Sequence, residues 1–415
     1  MIQVSEPEAS RPGRSVFYGW VVVGAAFSVL FLTYGVQYSF SLFFAALTAE
    51  FGWSRASLSG VFSLYAGAYS FLGLAAGRLT DHWGPRRVVA LGGLLLGAGL
   101  ALAGSVHALG PLYAAYVVAA FGMSTAYVPC TSTVARWFTR RRGLAVGLAM
   151  SGAGVGIFAC PPLVALLLAR VGWRAAYLVL AAGLALALGA LSRLLVPEPA
   201  TRGLRPFGGP ADPGDAAAAA PSSLAPVLRH PSFLALLGVY TATWIPVFMP
   251  PVHLVPLARD LGLAPVVGAT ALSALGLGSL AGRLGLGTLS DLIGRRLALG
   301  LALWLQAVAF AGLALAAGAP GLLAAATVYG VGYGAVTALM PPIVTDFFGA
   351  KRAGSLVGLI FGLAGPPGAL GPVLGGLVYD ATGRYTWAFV AGAALNLVAL
   401  ALLFLARPPS PAPAA

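Results

Sequence analysis

A chain of 415 residues with 59% hydrophobic and 8% charged side chains and a mean hydropathy of +0.90 cannot assemble a water-facing surface, which ordinarily needs roughly 25% charged residues. The formal charge of +13 is spread in short clusters between apolar segments, without interleaved aromatics, so a nucleic-acid partner is excluded and a lipid bilayer is the expected surrounding. Cys130 and Cys160 lie inside apolar segments without metal-ligand spacing and read as small buried residues; no metal or cofactor is expected.

In chain order, residues 1–16 form a polar tail whose apolar successor is too long for a signal-peptide core, so the first span is expected to be retained. A span needs about 20 apolar residues. Segments of that size fall near 17–46, 56–76, 88–106, 110–134, 143–168 and 174–195, which make a six-helix half over 17–195. A polar stretch over 196–231, rich in Pro, Gly and Ala, reads as a flexible cytoplasmic linker. Further spans near 232–257, 265–289, 297–317, 320–345, 354–378 and 385–406 make a second half over 232–406, and 407–415 is a Pro/Ala tail expected to be disordered. The prediction is an all-α membrane protein of twelve transmembrane helices.

The 24 Lys and Arg residues divide as 18 in loops on the side of the N-terminus, 5 on the other side and one, Arg283, within a span. Cations in short loops stay on the cytoplasmic side, so this bias predicts a multi-pass plasma (inner) membrane protein with both termini cytoplasmic.

The halves repeat each other. Residues 77–87 (GRLTDHWGPRR) match 287–296 (GTLSDLIGRR), and 136–143 (RWFTRRRG) resemble 346–354 (DFFGAKRAG), at offsets near 210. Six spans separate the copies, so both insert in the same orientation. The doubled Gly-x-Leu-x-Asp-x-x-Gly loop resembles the signature of the major facilitator superfamily, and the resemblance covers essentially the whole chain. It implies the pseudo-symmetric fold of that family, with a substrate site at the midplane between the halves. It further implies a conformational latch of Gly77, Asp81, Arg86, Arg87, Gly287, Asp291 and Arg295 that breaks as the halves rock. A plain topogenic turn would explain the arginines but not the paired Gly and Asp.

All 11 acidic residues fall at loops or helix ends. Arg283 is therefore the one formal charge expected in the hydrocarbon, about 12 Å from the helix end near Asp291. Its insertion costs at least about 2.5–3.5 kcal/mol, so it should face the bundle interior and meet an anion. A substrate carboxylate suits the planar guanidinium; the alternative is a guanidinium satisfied by carbonyls, hydroxyls and water.

A narrower resemblance, to the monocarboxylate porter and oxalate/formate antiporter branch, rests on FYGW at 17–20, Gln37 and Tyr38 with the following SFSLFF, Arg136 with Trp137 and Phe138, His253 to Pro256, and Ala281 to Arg283. It implies that Arg283 binds a substrate carboxylate and that Tyr38, Tyr127, Tyr329 and Tyr333 close the cavity. Tyr329 and Tyr333 are four residues apart on one helix face, and Ser279 stands one turn before Arg283. Ser279 and Gln37 complete the candidate substrate set, although each polar residue alone is more often a packing group. Two departures matter. Animal monocarboxylate porters carry a lysine and an acid where this chain has Tyr38 and Ser279, and oxalate/formate antiporters carry a second cation where this chain is apolar near Ala364. One central cation argues for a monoanion and leaves proton coupling to the substrate itself or to His253, whose ordinary pKa of about 6.5 would suit.

Glycines at 152, 154 and 156 with Pro161 and Pro162, and the Pro/Gly run from Pro366 to Gly376, permit close packing and bending of the fifth and eleventh spans. No nucleophile with a base and no phosphate-binding loop is present, so an enzyme is not expected. The expectation is a monomeric secondary transporter of small organic anions, lactate- or pyruvate-like, with protons as a candidate co-substrate. An organic-anion exchanger and an efflux transporter for amphipathic drugs are the alternatives. A receptor would need an added signalling domain, for which neither terminus leaves room.

Overall fold

The computed structural model describes residues 17–209, 225–348 and 350–406; the expected tails and the middle of the linker lie outside the described residues. Among the described residues ten helices are long and apolar enough to cross a membrane, the bent helix Arg55–Trp83 makes an eleventh, and the 51-residue Arg142–Ser192 is two spans meeting at Gly172. Gly172 turns the chain with φ +74, a conformation open to glycine at no steric cost. The sum is twelve, as the apolar periodicity predicts.

The spans are Tyr18–Tyr38 continued by Phe40–Phe51, Arg55–Trp83, Pro85–Gly104, Leu109–Trp137, and the two parts of Arg142–Ser192. The second half comprises Pro231–Trp244 continued by Met249–Asp260, Pro265–Ile293, Arg295–Ala314, Ala319–Phe348, Ala350–Gly368 continued by Leu370–Thr382, and Thr386–Leu405. Helices overrun the predicted spans at the loop end that carries most arginines, here called the basic face; the second continues to Trp83 because Asp81 and His82 are exposed there. The seventh span is broken where Pro246, Pro250 and Pro251 remove backbone donors.

Packing within each half runs through glycines. The first span lies on the fifth: a Cβ on Gly152 or Gly156 would fall 2.1 Å from the Phe27 or Phe31 carbonyl oxygen. The eighth and tenth spans approach as closely, along a longer seam. Added Cβ atoms at Gly278, Gly282, Gly330 and Gly334 would come within 2.2, 2.0, 2.1 and 2.0 Å of carbonyl oxygens on the facing helix. Only small residues allow such backbone approach, and this seam fixes Arg283 relative to Tyr333.

The linker is not a free tether throughout its length. Pro199–Arg202 forms a short 3-10 helix. Phe207 donates its N–H to Trp137 O and accepts from the Thr139 and Arg140 amides, and its ring packs among Phe17, Trp20 and Phe138. An aromatic side chain in a polar stretch has somewhere to bury, and residues 196–209 dock onto the first half accordingly.

Candidate functional site

The halves meet through the fifth span on the eighth, the second on the eleventh, and the outer segments of the first and seventh spans on each other. Gly276 sits against the backbone of Ile157 and Phe158, and Gly154 faces Leu280. Arg283 lies on that same inter-half face of the eighth span, two turns beyond Gly276 and about 15 Å from the helix end at Ile293. Its guanidinium lies within electrostatic reach of Tyr34 on the first span and Tyr127 on the fourth. Among the described residues Arg283 has no hydrogen bond and no ion pair, and its Nε is buried without an acceptor.

Every described carboxylate lies at a helix end. Asp81 pairs with Arg136 at 2.6 Å, Glu50 with Arg174 at 2.6 Å, Asp260 with Arg55 at 2.6 Å, and Asp291 and Asp346 with Arg295 at 3.5 and 3.3 Å. Asp380 accepts from the Arg55 and Ala56 backbone amides, capping the second span from the other half. Glu198 is exposed in the linker. None neutralises Arg283.

Of the predicted substrate residues, Tyr38 and Tyr333 join hydroxyl to hydroxyl at 2.9 Å across the halves, beside the arginine's cleft. Tyr127 faces Phe361 of the other half with ring centroids 6.1 Å apart, and its hydroxyl makes only a 3.9 Å contact with Met150 Sδ. Two further members of the predicted set are buried in the scaffold. Tyr329 stacks on Tyr333, but it is 1% exposed and its hydroxyl donates to the Val247 carbonyl freed by the break in the seventh span, so it supports the scaffold and leaves the cavity to its neighbour. Ser279 is fully buried, with Gly330 and Gly334 of the tenth span abutting its backbone, and its Oγ, like Arg283 Nε one turn on, is buried with no hydrogen-bond partner among the described residues. Gln37 donates to the Tyr69 hydroxyl at 3.4 Å and borders a closed cavity of about 20 Å³ inside the first half.

Tyr34 was not anticipated. It stands one turn before Tyr38, so the four-residue spacing that singled out Tyr329 and Tyr333 applies equally to it. Tyr69 on the second span joins the same phenol cluster through Gln37 and through its proximity to Tyr333.

His253 lies outside the cleft, fully buried where the halves close. Its Nε2–H donates to Pro372 O at 2.9 Å, which leaves Nδ1 to accept from the Tyr385 hydroxyl at 3.0 Å. Tyr385 in turn accepts from Arg55 Nη1 at 2.8 Å. Arg55 grips both Asp260 oxygens at 2.6 Å and lies 3.6 Å over the Tyr379 ring. This Asp260, Arg55, Tyr385, His253 chain, with the Ser41 to Val252 and Ser63 to Val373 contacts, clasps the face opposite the arginine loops. Among the described residues no hydrogen bond or ion pair joins the halves on the basic side of the Tyr38–Tyr333 pair. The polar contacts between the halves are therefore confined to that pair and the face opposite the arginine loops, and what joins them elsewhere is apolar, as where Tyr127 meets Phe361.

The expected latch residues do not bridge the halves in this state. Asp81 is taken by Arg136 of its own half, Arg295 by Asp291 and Asp346 of its own, and Arg86 and Arg87 are unpaired among the described residues. A Cβ added at Gly77 would meet Val128 Cγ1 at 3.3 Å, whereas one added at Gly287 would meet open space. Residues 136 and 346 occupy equivalent places in the repeat with opposite charge, and each pairs with the helix end beside it.

The family model of the Major Facilitator Superfamily matches residues 26–256 and 232–415. Monocarboxylate transporter 13 of Bos taurus is 33% identical over 390 residues, covering 93% of this chain and 88% of its own. Monocarboxylate transporter 11 of Homo sapiens is 33% identical over 391 residues, with 92% and 81% covered. A crystal structure of a bacterial homolog to the human lysosomal transporter Spinster, inward-facing and unoccupied, matches with a TM-score of 0.73 at 16% identity, over 96% of this chain and 100% of that one, and shares the fold. With two six-helix halves around one cleft and relatives of this similarity along nearly its full length, the chain belongs to the major facilitator superfamily, in the branch that contains the monocarboxylate transporters.

Proposed function

We propose that the protein is a secondary transporter of small monocarboxylates, lactate- or pyruvate-like, in which Arg283 binds the carboxylate and the halves rock to expose it to either face. The observation that carries this reading is a guanidinium deep in the bundle, turned to the cleft, with no acceptor of its own. Such a group favours a ligand that supplies two oxygens in one plane. Tyr34, Tyr127 and the Tyr38–Tyr333 pair add hydroxyls and ring faces near the guanidinium, which suit a partly apolar anion. The similarity to monocarboxylate transporters supports the same substrate class.

Proton coupling is assigned to His253 acting on the clasp. A proton on Nδ1 would force Tyr385 to give up the hydrogen bond it donates there and would add a second cation near Arg55, loosening the closed face. The arginine bias favours placing the basic face and both termini in the cytoplasm of an inner membrane.

The test is uptake of labelled monocarboxylates into proteoliposomes, with and without an imposed pH gradient. Uptake of lactate or pyruvate that disappears in Arg283→Ala supports the proposal; extrusion of amphipathic dyes without acid uptake, unchanged in that variant, refutes it. Accumulation driven by pH that survives intact in His253→Asn removes the histidine from the mechanism and leaves the carboxylate site standing.

A further inference from the structure

At the basic face a depression of about 520 Å³ is lined by Trp83, Gly84, Arg86, Arg87, Val196 and Arg202, together with Pro197 and Thr201. Three of these residues are cations. Arg86, Arg87 and Arg202 make no hydrogen bond or ion pair among the described residues, and Arg202 is held by its stack 3.6 Å over the Tyr18 ring. The nearest acids are committed or exposed: Asp81 pairs with Arg136, and Glu198 lies in the linker.

The internal repeat supplies a comparison for why these arginines are free. At the offset of 210, Arg86 corresponds to Arg296 and Leu194 to Phe404. In the second half Arg296 donates to the Leu403 and Phe404 carbonyls, at 3.3 and 2.7 Å, and so caps the end of the twelfth span. In the first half the Leu194 carbonyl is taken by the Tyr18 hydroxyl at 3.2 Å, and the nearby Val196 carbonyl by Trp137 Nε1 at 2.9 Å. Tyr18 thus does the capping that Arg296 does in the other half, and Arg86 is released. Position 87 is an arginine where the second half has the exposed Leu297.

The surroundings indicate what the free cations face. Arg87 heads a stripe of exposed residues on the third span, Leu91, Leu94 and Leu102, at the spacing of one helix face, and Leu186 and Leu194 are exposed on the sixth span, which packs beside it. Trp83, half exposed at the rim, is the residue type that settles at headgroup level. A cationic basin above two apolar rails fits an anion carrying acyl chains. We propose that this basin binds the phosphate headgroup of an anionic phospholipid, whose chains lie along the third and sixth spans.

The full-length chain in mild detergent is mixed with dioleoyl phosphatidylglycerol or dioleoyl phosphatidylcholine, and bound lipid is counted by native mass spectrometry, with inorganic phosphate as competitor. Wild type should retain phosphatidylglycerol in preference to phosphatidylcholine. Replacing Arg86, Arg87 and Arg202 by Gln should weaken that retention roughly a hundredfold, at about fivefold per arginine, while Arg384→Gln on the other face changes nothing. Tyr18→Phe keeps the ring but frees the Leu194 carbonyl for Arg86, and should lower retention several-fold with no change of charge. Equal retention of both lipids, or a triple variant that elutes and retains phosphatidylglycerol like wild type, overturns the proposal. Complete displacement by low-millimolar inorganic phosphate overturns the lipid assignment in favour of a free-anion site.

Discussion

Replacing Asp260 by Asn should open the clasped face without touching the cleft. Arg55 donates two bonds of 2.6 Å to Asp260, and charge-assisted bonds contribute about 1.5–3 kcal/mol each. The two side chains are 15% and 27% exposed, so solvent screening discounts the pair, and a loss of about 2 kcal/mol from the closed arrangement is the working figure. That moves the ratio of closed to open molecules by roughly thirtyfold. The assay is a distance distribution between spin labels at Ala49 and Arg384, exposed residues on opposite halves, in a background without Cys130 and Cys160. Wild type should give one short distance and Asp260→Asn a second, longer one. Arg55→Gln, which also loses Tyr385, should open more, and the double variant no more than Arg55→Gln alone. Additive opening, or no long-distance population in any variant, would refute the idea that this pair holds the face shut.

Arg283→Lys should retain charge but lose the planar two-point grip, raising the KM for a monocarboxylate by about tenfold or more in the proteoliposome assay. Tyr34→Phe should raise KM with little change in melting temperature, whereas Tyr329→Phe, which orphans the Val247 carbonyl, should lower stability by about 1–3 kcal/mol with KM unchanged. Gly282→Ala puts a methyl 2.0 Å from the Val331 carbonyl oxygen and should reduce both thermal stability and transport, as thermal unfolding in detergent and uptake would register; Gly287→Ala, in open space, should leave both near wild type.

Much of the scaffold is legible because apolar length, loop charge and the 210-residue repeat are each local or periodic. Arg283 is legible for the same reason: a charge in an apolar run stands out wherever the helix points. What the chain order hides is orientation and distance. Tyr329 and Tyr333 share a face and even stack, yet one hydroxyl is drawn to a carbonyl that exists only because the seventh span is broken. Ser279 is one turn from the arginine, and its complete burial comes from the facing tenth span, whose glycines abut its backbone. The clasp joins Arg55 to residues 205 and 330 positions away, so no motif around it announces the contact. Phe207 docks part of a stretch whose composition reads as a tether, because one aromatic ring outweighs its polar neighbours once a pocket of rings is available.

The four glycines between the eighth and tenth spans bear on how cargo moves. Backbones in such contact have no room to slide, so Arg283 and Tyr333 travel as one body, and an anion on the proposed Arg283 site would ride as a passenger of the second half. Any difference in grip between the two sides of the membrane must then arise from partners that come and go, above all Tyr34, Tyr38 and Tyr127 of the first half.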